Sequence, residues 1–246
     1  MTIVNRRRAL GLLGGAAAAA TTLDLRAAET KLRSFVAFGD SYTRSYREGV
    51  ASWADQIHAG GRARLLVNLA ESGATVEGYN SARTLDRQVD IWVANHRPKE
   101  IPDRTVIYMG YNDVKLTKSL SRPMFQYREQ VERLIGHGVT SGGRRLVLCR
   151  IHDWSRNPLS TTSVRGRVKE WNWFISSLAS AYGNIDIVDL YGRVEYIFRE
   201  PARFGFTNLT EADKAGSAST HLFFDGNHFG HKGQWLLSKE IRVKLA

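Results

Sequence analysis

The sequence has little cysteine and no long apolar run, and each shortage excludes a class of protein. Its 246 residues include one cysteine, Cys149, so no disulfide can form within the chain. The apolar run Ala9–Ala20 is much shorter than the about 20 residues that a membrane-spanning helix needs. Zinc-finger and RNA-binding motifs and internal repeats are also missing, so we expect neither a nucleic-acid partner nor a repeat architecture.

The composition is that of a soluble globular protein, with 43% apolar and 24% charged residues. The length is sufficient for one α/β domain with a well-buried core. Cys149 lies inside the apolar run Leu146–Ile151, and we interpret it as a small buried hydrophobic residue rather than a reactive thiol.

The first 28 residues have the pattern of an export signal. Three adjacent arginines at positions 6–8 precede the apolar run, and small residues continue to Ala28. The arginine pair before an alanine-rich run predicts the twin-arginine route to the periplasm or the medium. Cleavage is plausible after Ala20 and after Ala28; an N-terminal membrane anchor is the alternative. Residues 29–246 are then predicted to form a single domain.

The chain is basic, with a formal net charge of +11. Removal of residues 1–28 takes away four arginines and one aspartate, which lowers this charge to +8. The remaining basic residues are mostly scattered along the chain, so we interpret them as solubilising rather than as an interface for an anionic polymer.

Short apolar runs alternate with amphipathic stretches of helical period, which predicts βαβ units with helices on both faces of a parallel sheet. The predicted strands are Ser34–Phe38, Leu65–Leu69, Thr105–Met109, Leu146–Ile151 and Ile185–Leu190. Predicted helices carry the stripes that begin at Val50, Leu85, Tyr127 and Val164, and a last helix is predicted near Lys232–Val243. The stretch Tyr196–Ser219 is the least regular and is interpreted as a loop-rich flap.

The segment Gly39-Asp40-Ser41 follows the first predicted strand. A serine on such a turn has its hydroxyl and its backbone N–H at the edge of the sheet where ligands bind. The Gly-x-Ser-x-Gly turn of the α/β-hydrolases is absent. Taken alone, this segment is also compatible with an ordinary tight turn.

Two more polar segments follow the second and third predicted strands. Gly73 permits close approach of the backbone to a ligand, and its N–H can donate a hydrogen bond. Asn112, in Gly110-Tyr111-Asn112-Asp113, carries a neutral amide donor of the kind that stabilises an oxyanion. A turn glycine and a helix N-cap are the alternative interpretations.

The fourth segment, Asp225-Gly226-Asn227-His228, lies before the last predicted helix. Side chains three residues apart can meet on one turn, so the carboxylate of Asp225 can orient the imidazole of His228. The other ring nitrogen can then accept the proton of a serine hydroxyl, which is a poor nucleophile without a base.

In chain order, the four segments resemble the blocks of the SGNH/GDSL hydrolases, named for their Ser, Gly, Asn and His. The resemblance implies a three-layer α/β/α sandwich around a mainly parallel five-stranded sheet. It also implies hydrolysis of a small-molecule, polysaccharide or lipid ester without a metal or organic cofactor. The segment Pro201–Asn208 is similar to the P-x-x-x-G-F-T stretch of the lipase-like branch of that family.

The resemblance assigns a role to each matching residue. Ser41 is the nucleophile, His228 the general base, and Asp225 the residue that orients it. The N–H groups of Ser41 and Gly73 and the amide of Asn112 form the oxyanion hole.

Two tyrosines depart from the family pattern. Tyr111 stands where a small residue is common, which suggests a narrowed pocket, and Tyr42 stands where leucine is common. Neither change removes a reacting atom.

Two other functions remain open at this point. One is a metal-dependent phosphoesterase that uses Asp225, His228 and His231 as ligands, since a catalytic zinc needs three. The other is a non-catalytic carbohydrate-binding protein on the same fold, which the presence of the whole catalytic set disfavours. The oligomeric state is not predicted.

Overall fold

The computed structural model describes residues 32–45, 50–76, 84–160, 163–215 and 218–246. The predicted export signal, residues 1–28, lies outside them. The signal, its route and its cleavage site therefore remain predictions.

A five-stranded parallel sheet forms the centre of the described structure, as the sequence predicted, with strand order β2-β1-β3-β4-β5. Its strands are β1 (Ser34–Gly39), β2 (Arg64–Asn68), β3 (Arg104–Tyr108), β4 (Arg145–Cys149) and β5 (Ile185–Val188). All residues of β1 and β3 are buried, because helices cover both faces of the sheet.

Seven α-helices accompany the sheet within the described residues. They are α1 (Trp53–Ala59), α2 (Leu85–Asn95), α3 (Tyr111–Leu116), α4 (Ser121–Gly136), α5 (Arg165–Ala181), α6 (Leu190–Arg199) and α7 (His231–Arg242). Five of them match predicted helices, whereas α3 and α6 were not predicted. None of the described helices is long and apolar enough to cross a membrane.

The prediction of a loop-rich flap over Tyr196–Ser219 was wrong in two places. Helix α6 extends into it, because Leu190, Val194 and Ile197 form a buried stripe. Further along, β6 (Asn208–Ala212) pairs in parallel with β7 (His221–Phe223).

The predicted fifth strand was also too long at its C-terminal end. Asp189, inside the predicted range Ile185–Leu190, is instead the N-cap of α6, and its carboxylate accepts the N–H of Gly192 at 3.1 Å. A side-chain cap of this kind favours the start of a helix over continued extension of the strand.

Large aromatic side chains fill the two interfaces between the helices and the sheet. Trp53, Trp92 and Trp171 are fully buried and form part of this core. Cys149 is also fully buried, and burial raises the pKa of its thiol, so it remains protonated and packs as a hydrophobic residue.

The order of the strands creates a crevice beside β1. The chain moves from β1 to β2 on one side and then crosses to β3 on the other side. At such a reversal the loops leaving the two strands separate and open a ligand site. Gly39 at the end of β1 is in register with Tyr108 at the end of β3, so both loops leave the sheet at the same level.

Gly110, two residues after β3, fits only without a side chain. Its φ of +120° is unfavourable for other residues, and an added Cβ would lie 2.1 Å from Cε2 of Trp171. The glycine therefore lets the loop that leads into α3 pass directly over the buried indole.

Replacing Gly110 with alanine should destabilise the protein by about 2–5 kcal/mol, because backbone strain adds to overpacking. Gly143→Ala is the matched control: Gly143 also has a positive φ, of +80°, but its added Cβ meets nothing within 4 Å. Urea unfolding of both variants gives the comparison. Equal losses of stability would show that the contact with Trp171 is unimportant.

Candidate active site

Ser41 lies on a tight turn at the carboxyl end of β1. The N–H groups of Thr43 and Arg44 donate to the backbone carbonyl of Asp40 at 3.0 and 3.2 Å, and the N–H of Tyr42 donates to the side-chain oxygen Oδ1 of Asp40 at 2.9 Å. An added Cβ at Gly39 would lie 2.6 Å from the carbonyl oxygen of Tyr108. The Gly-Asp-Ser motif thus lets the chain turn beside β3, because the glycine leaves room for the Tyr108 carbonyl and the aspartate accepts the hydrogen bonds of the turn.

Gln88 on α2 fixes the peptide that precedes this turn. Its side-chain oxygen accepts the N–H of Gly39 at 2.9 Å, and its amide donates to the carbonyl of Gly39 at 2.8 Å. Gln88 is fully buried. Gln88 was not among the predicted site residues, although a glutamine inside the apolar stripe of a buried helix indicates a buried polar contact of this kind.

The side chains of Ser41, His228 and Asp225 form a hydrogen-bonded chain. His228 Nε2 lies 2.9 Å from Ser41 Oγ, and His228 Nδ1 lies 2.8 Å from Asp225 Oδ2. The other carboxylate oxygen of Asp225 accepts the backbone N–H groups of Asn227 and His228 at 2.7 and 2.6 Å. The structure thus brings together the three predicted residues, although Ser41 and His228 lie 187 positions apart along the chain.

The environment keeps Asp225 ionised. Partial burial alone would raise its pKa, but the hydrogen bond with His228 and the two backbone N–H donors lower it below its ordinary value. An ionised carboxylate at Nδ1 selects the tautomer in which Nε2 is free to accept a proton from Ser41.

Gly73 and Asn112 line the same cavity as Ser41. Gly73 has a positive φ of 72°, which suits glycine in the turn after β2. Asn112 lies in the first turn of α3, and its Nδ2 donates one hydrogen bond to the carbonyl of Ala74 at 2.8 Å. Because an amide nitrogen carries two hydrogens, that bond orients the group and leaves a second donor.

The cavity has a volume of about 160 Å³. Four of its lining residues carried no predicted role, namely Ser72, Lys115, Trp154 and Asn227. The Lys115 ammonium lies 4.3 Å from the Trp154 ring centroid, and Trp154 Nε1 donates to the side-chain oxygen of Asn227 at 3.3 Å. Trp154 thereby forms a fixed wall; it follows β4 on a short 3₁₀ turn that gives no periodic signal in sequence.

The residues proposed as metal ligands do not form a cluster. Among the described parts of the chain, no group of three His, Cys, Asp or Glu side chains is placed to hold a metal ion. His231 is the first residue of α7, while His228 and Asp225 bond to each other.

Comparison with known proteins agrees with this geometry. The sequence profile of the GDSL-like lipase/acylhydrolase family matches residues 37–236, which include all five predicted site residues. The chain belongs to this family. It is therefore a hydrolase of the GDSL type, and the resemblance drawn from the four motifs is confirmed. No curated protein matches the chain in sequence.

Solved structures of the family share the fold. The acetyl xylan esterase AlAXEase has a TM-score of 0.61 and 16% identity, over 87% of this chain and 100% of its own. A lipolytic G-D-S-L protein from Veillonella parvula DSM 2008 has a TM-score of 0.59 and 15% identity, over 84% and 94%. The acetylxylan esterase Axe2 from Geobacillus stearothermophilus has a TM-score of 0.56 and 15% identity, over 88% and 95%.

Two buried ionisable side chains near the site have pKa values that are shifted in opposite directions. Burial raises the pKa of Asp40 to about 7, with a smaller contribution from the nearby carboxylate of Asp113. Burial lowers the pKa of His152 to about 3, and His228 adds to that effect. Between pH 4 and 6.5 both groups are therefore mainly neutral in the folded protein and charged in the unfolded chain.

The variant Asp40→Asn should make the free energy of unfolding rise more steeply with pH. Folded Asp40 holds a proton that the unfolded chain releases, so it lowers stability as pH rises from about 4 to 7. His152 has the opposite effect, because the unfolded state binds the extra proton. Without Asp40, the slope between pH 4.5 and 6 should increase by about 1.4 kcal/mol per pH unit.

His152→Gln is the complementary variant, and its slope should fall by a similar amount. Urea unfolding at four pH values measures both variants. Slopes equal to that of the wild type in both variants would contradict the assigned protonation states.

Proposed function

We propose that the protein is an exported carboxylic ester hydrolase that works through an acyl-enzyme on Ser41. The observation that carries this proposal is the hydrogen-bonded chain from Asp225 through His228 to Ser41. Its distances of 2.8 and 2.9 Å are those of a nucleophile already in contact with its base. Export rests on the N-terminal sequence pattern alone.

The reaction proceeds in two acyl-transfer steps. Ser41 Oγ attacks the ester carbonyl while His228 Nε2 accepts the serine proton, and Asp225 stabilises the imidazolium. The N–H groups of Ser41 and Gly73 and the amide of Asn112 stabilise the oxyanion. His228 then protonates the leaving alcohol. Water, activated by His228, attacks the acyl-enzyme and releases the acid and free Ser41.

The size of the cavity supports a short acyl group. At about 160 Å³ it is smaller than the roughly 300–1,000 Å³ of sites that enclose drug-sized ligands. Buried Tyr42 and Tyr111 and the Trp154 wall limit its extent. Two similar structures are described as acetyl xylan esterases. We therefore propose acetyl esters of carbohydrates as substrates, in preference to long-chain lipids.

Ser41→Ala should lower kcat/KM for p-nitrophenyl acetate by at least about 1,000-fold, because the covalent step needs its hydroxyl. The control Ser141→Ala lies in an exposed turn and should keep full activity. Circular dichroism checks that both variants fold. A Ser41→Ala enzyme with wild-type activity would exclude the acyl-enzyme proposal.

Activity should decrease as the acyl chain lengthens, by at least about tenfold in kcat/KM from p-nitrophenyl acetate to octanoate, since most of a longer chain would lie outside the small cavity. Acetate release from acetylated xylan compared with fatty-acid release from an emulsified triglyceride tests the polymer and lipid substrates directly. Higher activity on octanoate, together with triglyceride hydrolysis, would replace the deacetylase proposal with a lipase.

A further inference from the structure

A buried polar cluster lies beneath the cavity, and the reaction described above does not use it. Its members are nearly inaccessible to solvent: Tyr42, Tyr111, His152 and Asn157 are 1%, 5%, 0% and 3% exposed. Burying this many polar groups is costly unless their hydrogen bonds are satisfied, so the cluster needs a physical reason.

The cluster is bonded to the backbone that carries His228. The hydroxyl of Tyr42 and the Nδ2 of Asn157 both contact the carbonyl oxygen of Asn227, the latter at 2.7 Å. Asn227 immediately precedes His228. Tyr42 immediately follows Ser41, and its ring centre lies 5.3 Å from that of His228. A single side chain thus connects the turn of the nucleophile to the loop of the base.

The direction of the hydrogen bonds follows from the donors available. The carbonyl of Asn227 can only accept, so the Tyr42 hydroxyl donates to it. The phenolic oxygen of Tyr42 then accepts, from Asn157 Nδ2 at 2.8 Å or from the Tyr111 hydroxyl at 2.9 Å. The Tyr42 hydroxyl is therefore held by a further hydrogen bond, and Asn157 Nδ2 lies 2.8 Å from the hydroxyls of both Tyr42 and Tyr111, either of which can accept its second N–H.

His152 ends the cluster as a neutral side chain. Its Nδ1 and Nε2 lie 3.0 and 2.9 Å from the hydroxyls of Tyr108 and Tyr111. A neutral imidazole offers one donor and one acceptor, so it joins the two hydroxyls without placing a charge near His228. A cation at this position would disfavour the imidazolium that forms during the reaction.

We propose that Tyr42 and Asn157 act as a clamp on the Asn227 carbonyl that holds His228 in hydrogen-bonding position for Ser41, supported by Tyr111 and His152. These are positioning residues, because none of them is needed to exchange a proton with the substrate. The proposal rests on the proposed function and explains what keeps His228 at the correct distance from Ser41. That distance matters because misplacement of a base by about 1 Å can cost about 100-fold in rate.

Tyr42→Phe tests the clamp, because it keeps the ring and removes only the hydroxyl. We expect kcat for p-nitrophenyl acetate to fall about 10–100-fold, while KM stays within about twofold of wild type. The matched control is Tyr127→Phe. Tyr127 is equally buried, and within the described residues its hydroxyl has no hydrogen-bond partner, so its loss should change kcat by less than about twofold.

A double-variant cycle separates a clamp from general loss of packing. If Tyr42 and Asn157 act through the same carbonyl, Tyr42→Phe combined with Asn157→Ala should lower kcat by no more than about threefold beyond the worse single variant. Multiplication of the two single effects would overturn the proposal. So would a Tyr42→Phe enzyme with the same kcat as Tyr127→Phe.

The downfield proton resonance of His228 Nδ1–H provides a readout that does not depend on hydrolysis. Tyr42→Phe should broaden or shift it, whereas Tyr127→Phe should leave it unchanged. An unchanged resonance in Tyr42→Phe would overturn the clamp. Failure of the proposed function has a different signature, since Ser41→Ala would then retain wild-type ester hydrolysis whatever the resonance shows.

Discussion

The hydrogen bond between His228 and Ser41 is the interaction on which the rest of the site depends. Its two partners lie 187 positions apart in the sequence, and at 2.9 Å the hydrogen bond tolerates little displacement of either side chain. The sheet fixes one end, because Ser41 follows a fully buried strand whose last peptide is held by Gln88. The other end lies on a loop before α7, where Asp225 accepts three hydrogen bonds from the residues it orients.

Burial near the site also determines the charge of two ionisable side chains beside it. A low-dielectric environment strengthens the interactions of the proposed oxyanion donors, but it penalises any uncompensated charge. Asp40 and His152 are buried there with pKa values of about 7 and about 3, so Asp40 is mainly neutral below pH 7 and His152 is mainly neutral above pH 3.

The amino-acid pattern was sufficient to predict the parallel sheet, five of the helices and the residues that meet at the cavity. Continuous apolar runs identify strands buried on both faces of a sheet, and the short motifs after these strands identify the edge of the sheet where the cavity lies. Helix α6 was not predicted, because it begins inside an apolar run that was interpreted as a strand. The pairing of β6 with β7 was not predicted, because strands so short have little periodicity. Gln88, Trp154 and the bonds of Tyr42 were also missed, since they depend on contacts between distant segments.

Covalent labelling of the active serine tests the central claim most directly. The protein would be treated with a fluorophosphonate ester, and the modified peptide would be identified by mass spectrometry in wild type and in His228→Ala. We expect one adduct per chain, on Ser41, and labelling slowed at least about 100-fold without the base. An adduct on a different residue, or ester hydrolysis that survives complete modification of Ser41, would contradict the assignment of Ser41 as the nucleophile.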